Sequence, residues 1–335
     1  HAFMKHEWFE CWINNFGSND RLLVHTAWDG SELVGIAPLR IVRRRFRGVP
    51  LSVLTFLQSS ITPRCNFIVR DTLDLPAFFD SIIALRGWSL MEVKSLDEKQ
   101  TTTQKFIEYL TGRHNFMIEP GIQSPYEVLP CDWASYYASR SKHLQRDIRA
   151  SGNRSKSAPS IEVLRLENRS QIQEHFPDLL SISQRSWKAG TGTDLVTDRQ
   201  SAGFLRQFCE LGADQGLCLI YILMIEGKAV AFDYYVRHRN RLAGLRWEYD
   251  DNYNYYIPGL LLHCSVLKEL IGSGEPWEYD LTGDITKFKA DISKDIRKHV
   301  NIVVGRPGVY GSLLMRLKKA SQHLRSTPPA QPVAD

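Results

Sequence analysis

The order of elements in this chain predicts an α/β fold of the mixed (α+β) kind, made of two tandem lobes, each a mixed, mainly antiparallel sheet flanked by helices. Three observations carry that expectation. A β-hairpin signal is written twice, as RLLVHTAW and ELVGIAPLRIV around Asp29-Gly30, and as LCLIYILMI and AVAFDYYVR around Glu226-Gly227-Lys228. Each half then combines an antiparallel meander with one β-α-β crossover, the signature of helices on both faces of a mixed sheet. Finally, 335 residues with 43% hydrophobic and 24% charged residues suffice for two cores and exclude a disordered or fibrous chain.

The elements follow from local pattern. A helix is expected over 5–16, aromatic at Trp8, Phe9, Trp12 and Phe16. After the first hairpin come strands at LSVLTFL and CNFIV, helices over 74–86 and 101–113 with the strand WSLMEV between them, and two short strands at FMIE and YEVLP. The second half begins with the strand IEVLRL, two helices (168–187 and 198–215) and three antiparallel strands ending at RLAGLRWEYD. A helix over 258–273, the strand WEYDL, a helical turn and the strand VNIVVG complete it. The parallel between halves implies duplication. The expected domains are a lobe over 1–131, a basic helical connection over 132–157, a second lobe over 158–305, a basic amphipathic helix over 306–325 and a disordered tail over 326–335.

The net charge is only +5, but it is unevenly spread. Arg40, Arg43, Arg44, Arg45 and Arg47 form one cluster, Arg140 to Lys156 another, and no acid interrupts the chain from Ile296 to Ala334. Such patches are either solvated faces or sites for phosphates, nucleic acid or an anionic membrane. The last helix sets Leu313, Leu314, Leu317 and Leu324 among basic residues, for packing on the body or for lying on a membrane surface. Six scattered cysteines show no metal-ligand spacing and read as reduced thiols; no metal is expected. Without an apolar run of spanning length, a cytoplasmic place is expected, at the inner membrane face if the last helix binds lipid.

The most informative stretch is RWEYDDNYNYYIPGLLLHCSVLKEL. A strand runs to Tyr249, and Pro258-Gly259 opens an apolar helix, where free N–H groups and the helix dipole favour a phosphate and Gly259 admits its oxygens. His263, one turn in, reads as a core or surface histidine, and Cys264 as a buried, inert thiol.

Residues 139–305 resemble the acetyltransferase domain of the CelD-type family, in the GNAT superfamily and related to the Fem peptidyltransferases. The resemblance is carried by SKHLQRDIRASGNR, VAFDYYVRHRNRLAGLRWEYD, YYIPGLLLH and WEYDLTGDITKFK, with HEWFECWINNFG, DGSELVGIAPLRIVRRR and SPYEVLP typical of its two-lobed members. Two positions depart from its pattern: Thr282 stands where glycine is common, and Ile257 where serine is common.

The resemblance implies an acyl donor, acyl-CoA or acyl-phosphopantetheine on an acyl carrier protein, as co-substrate with no permanently bound cofactor. Tyr256, Pro258, Gly259 and Leu260 would hold it, with Lys289 approaching its phosphates; an exposed helix lysine is the other reading of Lys289. Acyl transfer to an amine needs a base, and Glu248, then Asp233 and Asp280, are the acids near aromatic strand residues. Each could instead pair with Arg237, Arg241 or Arg246. Trp187 and Lys188, beside the loop Gly190–Thr193, with Arg64 and Arg246, are the candidates for touching the acceptor. The function implied is N-acyl transfer to a small or lipid-like amine, such as an amino sugar or amino-lipid base of envelope, exopolysaccharide or lipid synthesis. The alternatives are a Fem-like transferase using aminoacyl-tRNA, the only role foreseen for nucleic acid, and a non-catalytic scaffold of a polysaccharide-synthesis complex.

Overall fold

The computed structural model of the chain describes residues 2–17, 20–46 and 48–326, with side chains through residue 321. In chain order the elements are α1 (His6–Phe16), β1 (Arg21–Asp29), β2 (Glu32–Phe46), β3 (Val49–Phe56), β4 (Ile68–Val69), α2 (Leu75–Ile83), β5 (Leu90–Asp97), α3 (Thr101–Leu110) and β6 (Phe116–Val128). They continue with α4 (Trp133–Ser139), α5 (Lys142–Ser155), β7 (Ile161–Leu166), α6 (Arg169–Gln184), α7 (Arg199–Gly212), β8 (Cys218–Ile225), β9 (Lys228–His238) and β10 (Arg241–Tyr249). The last are α8 (Pro258–Gly272), β11 (Glu278–Asp280), α9 (Lys287–Ile292), β12 (Ile296–Gly305) and α10 (Val309–Ser326). This is the mixed architecture expected, with mostly antiparallel strands flanked by helices.

The chain forms two compact units that do not follow its two halves. The larger holds α1, residues 59–63 and Gln123–Arg297; the smaller holds β1 through Gln58, Arg64–Ile122 and the chain from Lys298 through α10. The expected break at residue 131 is therefore replaced by an exchange. α1 packs in the larger unit, where Trp8 lies edge-on to Phe204 and Phe208 at 4.7 and 5.2 Å. β12, expected to complete the second lobe, pairs antiparallel with β5 in the smaller unit from His299 to Gly305. Neither move is visible in local pattern, because an amphipathic helix or an apolar strand does not specify which surface covers it.

In the smaller unit β1, β2, β3, β5 and β12 lie side by side, β4 pairs with β2, and β3 and β5 form a parallel pair joined through α2. Its core gathers Leu39, Phe56, Phe79, Met91, Phe106 and Ile302. Part of the apolar stripe of α10 packs here: Leu314 and Met315 are buried against Leu51, Val53, Leu90 and Val303, and Lys318 pairs with Glu92, while Leu313 is exposed. Arg40 pairs with Asp20 and Arg44 with Glu92, while Arg43 and Arg45 are exposed. Arg47, the side chains of Leu324 and Arg325, and the tail from residue 327 lie outside the described residues.

In the larger unit the order is β7, β8, β9, β10, β11 and then the end of β6. β8 to β10 form the expected meander, and β10 and β11 the parallel pair, joined through α8. β6 is one strand of 13 residues rather than two short ones. Pro120 and Pro125 lie within it, since a strand keeps proline where its N–H is not needed in the ladder. The segment expected as a connection is α4 and α5, and α5 is tied to the body: Ser151 Oγ donates to the Tyr256 carbonyl at 2.9 Å and Arg154 to that of Tyr255 at 2.9 Å. Of the six cysteines five are buried and Cys131 is exposed, all as free thiols.

Candidate active site

The site begins where β10 outruns its neighbour. β11 runs beside β10 only over Arg241–Ala243, and the register between β9 and β10 shifts between Gly244 and Arg246. Gly244 is needed here for space: a Cβ on it would lie 2.2 Å from the Trp247 ring. Beyond this bulge a cavity of about 430 Å³ opens within the larger unit, in the range of small-molecule sites. Asp233, Trp247 and Glu248 line it from the strands, Pro258, Gly259, Leu260 and His263 from α8, and Phe288 and Lys289 from α9.

The start of α8 is open to this cavity. Ile257, its N-cap, is left-handed at φ 52° and gives no side-chain cap, and the first-turn N–H groups have no acceptor within a helix. Thr282 is left-handed as well, at φ 42°. Ile257 and Thr282 are thus the two β-branched residues among the described ones that carry a left-handed conformation, costing roughly 1–2 kcal/mol. Thr282 is held there by its neighbours: its Oγ1 donates to the Gly244 carbonyl, and its own carbonyl accepts from Lys289 Nζ at 2.6 Å. Lys289 stands 5.6 Å from the Trp247 ring centre, and burial lowers its pKa against the opposing pull of Asp284 and Asp280.

The three candidate acids sit in three environments. Asp233 is 3% exposed and accepts from the Tyr235 hydroxyl at 2.9 Å; desolvation pushes its carboxyl up to about 7. Glu248, equally buried, accepts from Ser186 Oγ at 2.9 Å and from Lys188 Nζ at 3.3 Å, and pairs with Arg246. Asp280 does not line the cavity. It accepts from the Thr282 amide at 3.0 Å and pairs with Arg297 at 2.5 Å, which makes it a structural anion rather than a base.

The acceptor-side expectations are corrected in the same way. Arg246 and Lys188 are spent on Glu248, and burial pulls Lys188 down to about 8 despite that carboxylate. Arg64 belongs to the smaller unit, where its Nε donates to His299 Nε2 at 3.0 Å. Trp187, 56% exposed, does line the cavity. Gly190–Thr193 is closed by a 3₁₀ turn over Trp187–Thr191 and a left-handed Gly192. Of the donor-side residues, Pro258, Gly259, Leu260 and Lys289 line the cavity; Tyr256 does not, and its carbonyl is taken by Ser151.

One group was discounted in the sequence and stands in the site. His263 is 2% exposed, and burial pushes its imidazole down to about 3. Its Nδ1 lies 2.9 Å from the Tyr279 hydroxyl, which lies 2.7 Å from that of Tyr235. A signal existed: Asp233 and Tyr235 are two apart on a strand and share a face. That His263 meets them from α8 needed the fold. Cys264 beside it is buried with its thiol pushed up to about 12, as expected of an inert cysteine.

Residues 142–290 match the family model described as acetyltransferase (GNAT) domain. The fold as a whole is similar to FemX, at 10% identity over 95% of this chain and 94% of that one, with a TM-score of 0.57. It is similar also to the C-terminal domain of a putative lysylphosphatidylglycerol synthetase from Agrobacterium fabrum, at 10% identity over 88% of each chain and a TM-score of 0.53. A conserved protein of unknown function from Bacteroides thetaiotaomicron matches at 13% identity over 91% of each chain, with a TM-score of 0.52. A search of curated protein sequences found no match. The match over residues 142–290 marks the class as an acyltransferase, and the solved structures are similar in fold. No helix among the described residues is long and apolar enough to cross a membrane.

Proposed function

We propose that the larger unit is a CelD-type N-acyltransferase, moving an acyl group from the pantetheine thioester of CoA or an acyl carrier protein to an amine. The observation that carries this is one cavity with two complementary ends. The uncapped start of α8 at Pro258-Gly259 suits the anionic part of a donor, and Asp233, its pKa near neutrality, suits a base for an attacking amine. The amine nitrogen would bond to the thioester carbonyl carbon and give up a proton to the base, and the C–S bond would then break with the thiolate leaving. Asp233 is favoured over Glu248 as the ultimate proton acceptor because Glu248 is committed to two cations and a serine.

The acceptor class, an amino sugar, amino-lipid base or other small amine, belongs to the same proposal. The tRNA-dependent alternative would need the Arg140–Lys156 cluster free to follow RNA. Arg140 is buried against Glu127 and Arg154 holds the Tyr255 carbonyl, whereas Lys142, Arg146, Arg149 and Lys156 are exposed.

Native mass spectrometry and thermal shift with acetyl-CoA, a long-chain acyl-CoA and CoA test the reading. Stabilisation by CoA species that is lost in Gly259→Trp supports it, since a Cβ at Gly259 already meets the Tyr249 ring at 3.2 Å and an indole would fill the α8 end. No response to any CoA species, and none to an acylated carrier protein, overturns it.

A further inference from the structure

We infer that His263 is the group that meets the acceptor amine, and that Tyr279 and Tyr235 connect it to Asp233, where the amine's proton comes to rest. This rests on the acyl-transfer reading above.

The inference follows from counting hydrogens. A phenol has one hydrogen to donate, and a neutral imidazole has one N–H. The Tyr235 hydroxyl donates to Asp233 Oδ2 at 2.9 Å. Its oxygen must therefore accept across the 2.7 Å contact with Tyr279, which spends the single hydrogen of Tyr279. At the 2.9 Å contact with His263, Tyr279 can then only accept, so the hydrogen lies on Nδ1. This leaves Nε2 as a bare lone pair. That atom is buried, has no hydrogen-bond partner, and belongs to a residue lining the cavity. A buried acceptor without a partner costs roughly 1–3 kcal/mol, and an N–H from the acceptor would satisfy it.

The same chain balances the proton. As the C–N bond forms, the amine nitrogen loses a proton to Nε2. Nδ1–H passes its proton to the Tyr279 oxygen, Tyr279 to Tyr235, and Tyr235 to Asp233. The histidine ends neutral with its hydrogen on Nε2, each phenol still carries one hydrogen, and the carboxylate has become a carboxyl. The C–S electron pair leaves with the thiolate, which takes a proton from solvent. Burial opposes an imidazolium at His263 and favours the protonated acid at Asp233, so the relay runs in the direction the surroundings reward. Other ionisable groups face it from each side. Tyr136 and Cys264 lie behind Tyr279, Lys289 and Asp291 come from α9, Asp147 from α5, and Glu248 with its two cations from β10.

The test uses the whole protein labelled with ¹⁵N-histidine. At alkaline pH, where Asp233 is ionised, the His263 signals, assigned by their loss in His263→Gln, are expected to show a neutral ring protonated on Nδ1. Hydrogen on Nε2, or an imidazolium, overturns the inference. In turnover, Tyr279→Phe is expected to lower kcat about 10²-fold, with donor binding near that of the parent, and to remove the rise of rate with pH that Asp233 controls. Tyr235→Phe with Tyr279→Phe should cost no more than either alone. A Tyr279→Phe enzyme with parental kcat and pH profile overturns the relay. The tautomer is read without turnover: a protein with Nδ1–H His263 that binds no pantetheine donor fails the acyl-transfer reading, keeps the hydrogen-bond assignment, and overturns the amine as the group His263 meets.

Discussion

Asp233 and Glu248 lie on adjacent antiparallel strands, one register step apart, each 3% exposed and each on the wall of the same cavity. Around Glu248 the chain places Arg246, Lys188 and Ser186, so the cost of removing a charge from water is offset by cations and a hydroxyl. Around Asp233 it places a chain of two phenols and an imidazole, which offers one hydrogen bond and no charge. Equal burial thus yields a fixed ion-pair centre on one wall and a proton-accepting acid near neutrality on the other. Partners, rather than depth, decide which carboxylate can do chemistry.

The contrast breaks most visibly in turnover. Asp233→Asn should lower kcat by about 10³-fold and flatten the pH–rate profile, whose rise through about 7 reports the ionised acid; steady-state kinetics from acid to alkaline pH check this. Glu248→Gln should act on the fold instead, costing about 3 kcal/mol or more because two buried cations lose their counterion, measured by urea unfolding.

A comparable but pH-dependent effect separates the walls in stability. The Asp233 pKa is raised from an ordinary 3.8 to about 7, so its contribution is fully present below about pH 4 and is lost as pH rises through about 7. Asp233→Asn, which can still accept from Tyr235, should therefore gain on the parent as pH rises. The gap would grow to at most about 4 kcal/mol, at about 1.4 kcal/mol per pH unit, in unfolding measured at acid and at mildly alkaline pH. The smallest effect belongs to the turn that carries Lys289. Thr282→Gly relieves a left-handed threonine but loses the Oγ1 bond to Gly244, two terms of about 1 kcal/mol each, so the melting temperature should barely move.

Much of the fold was legible. The periodicity of β8 to β10 and the Pro-Gly start of α8 are local properties, and those elements lie where pattern puts them. The acids of the meander were legible as candidates, because period-two alternation turns every second strand side chain to one face and each acid has aromatic neighbours in sequence. Their roles were not. Asp280 has the same aromatic setting in sequence, yet Arg297, 17 residues on, neutralises it. Glu248 looked like the best base until Lys188, 60 residues earlier in the chain, reached it. His263 was read as a core or surface histidine because a helix-interior histidine shows nothing of what faces it.

Periodicity, turn chemistry and the helix start sufficed for the class of fold, the meander and the region of the cavity, since each depends on neighbours a few residues away. The exchange of α1 and β12 between the units, the choice between two equally buried carboxylates, and the line from Asp233 to His263 depend on groups far apart in the chain. Charge compensation and hydrogen-bond direction exist only between atoms about 3 Å apart, and folding alone brings those atoms together.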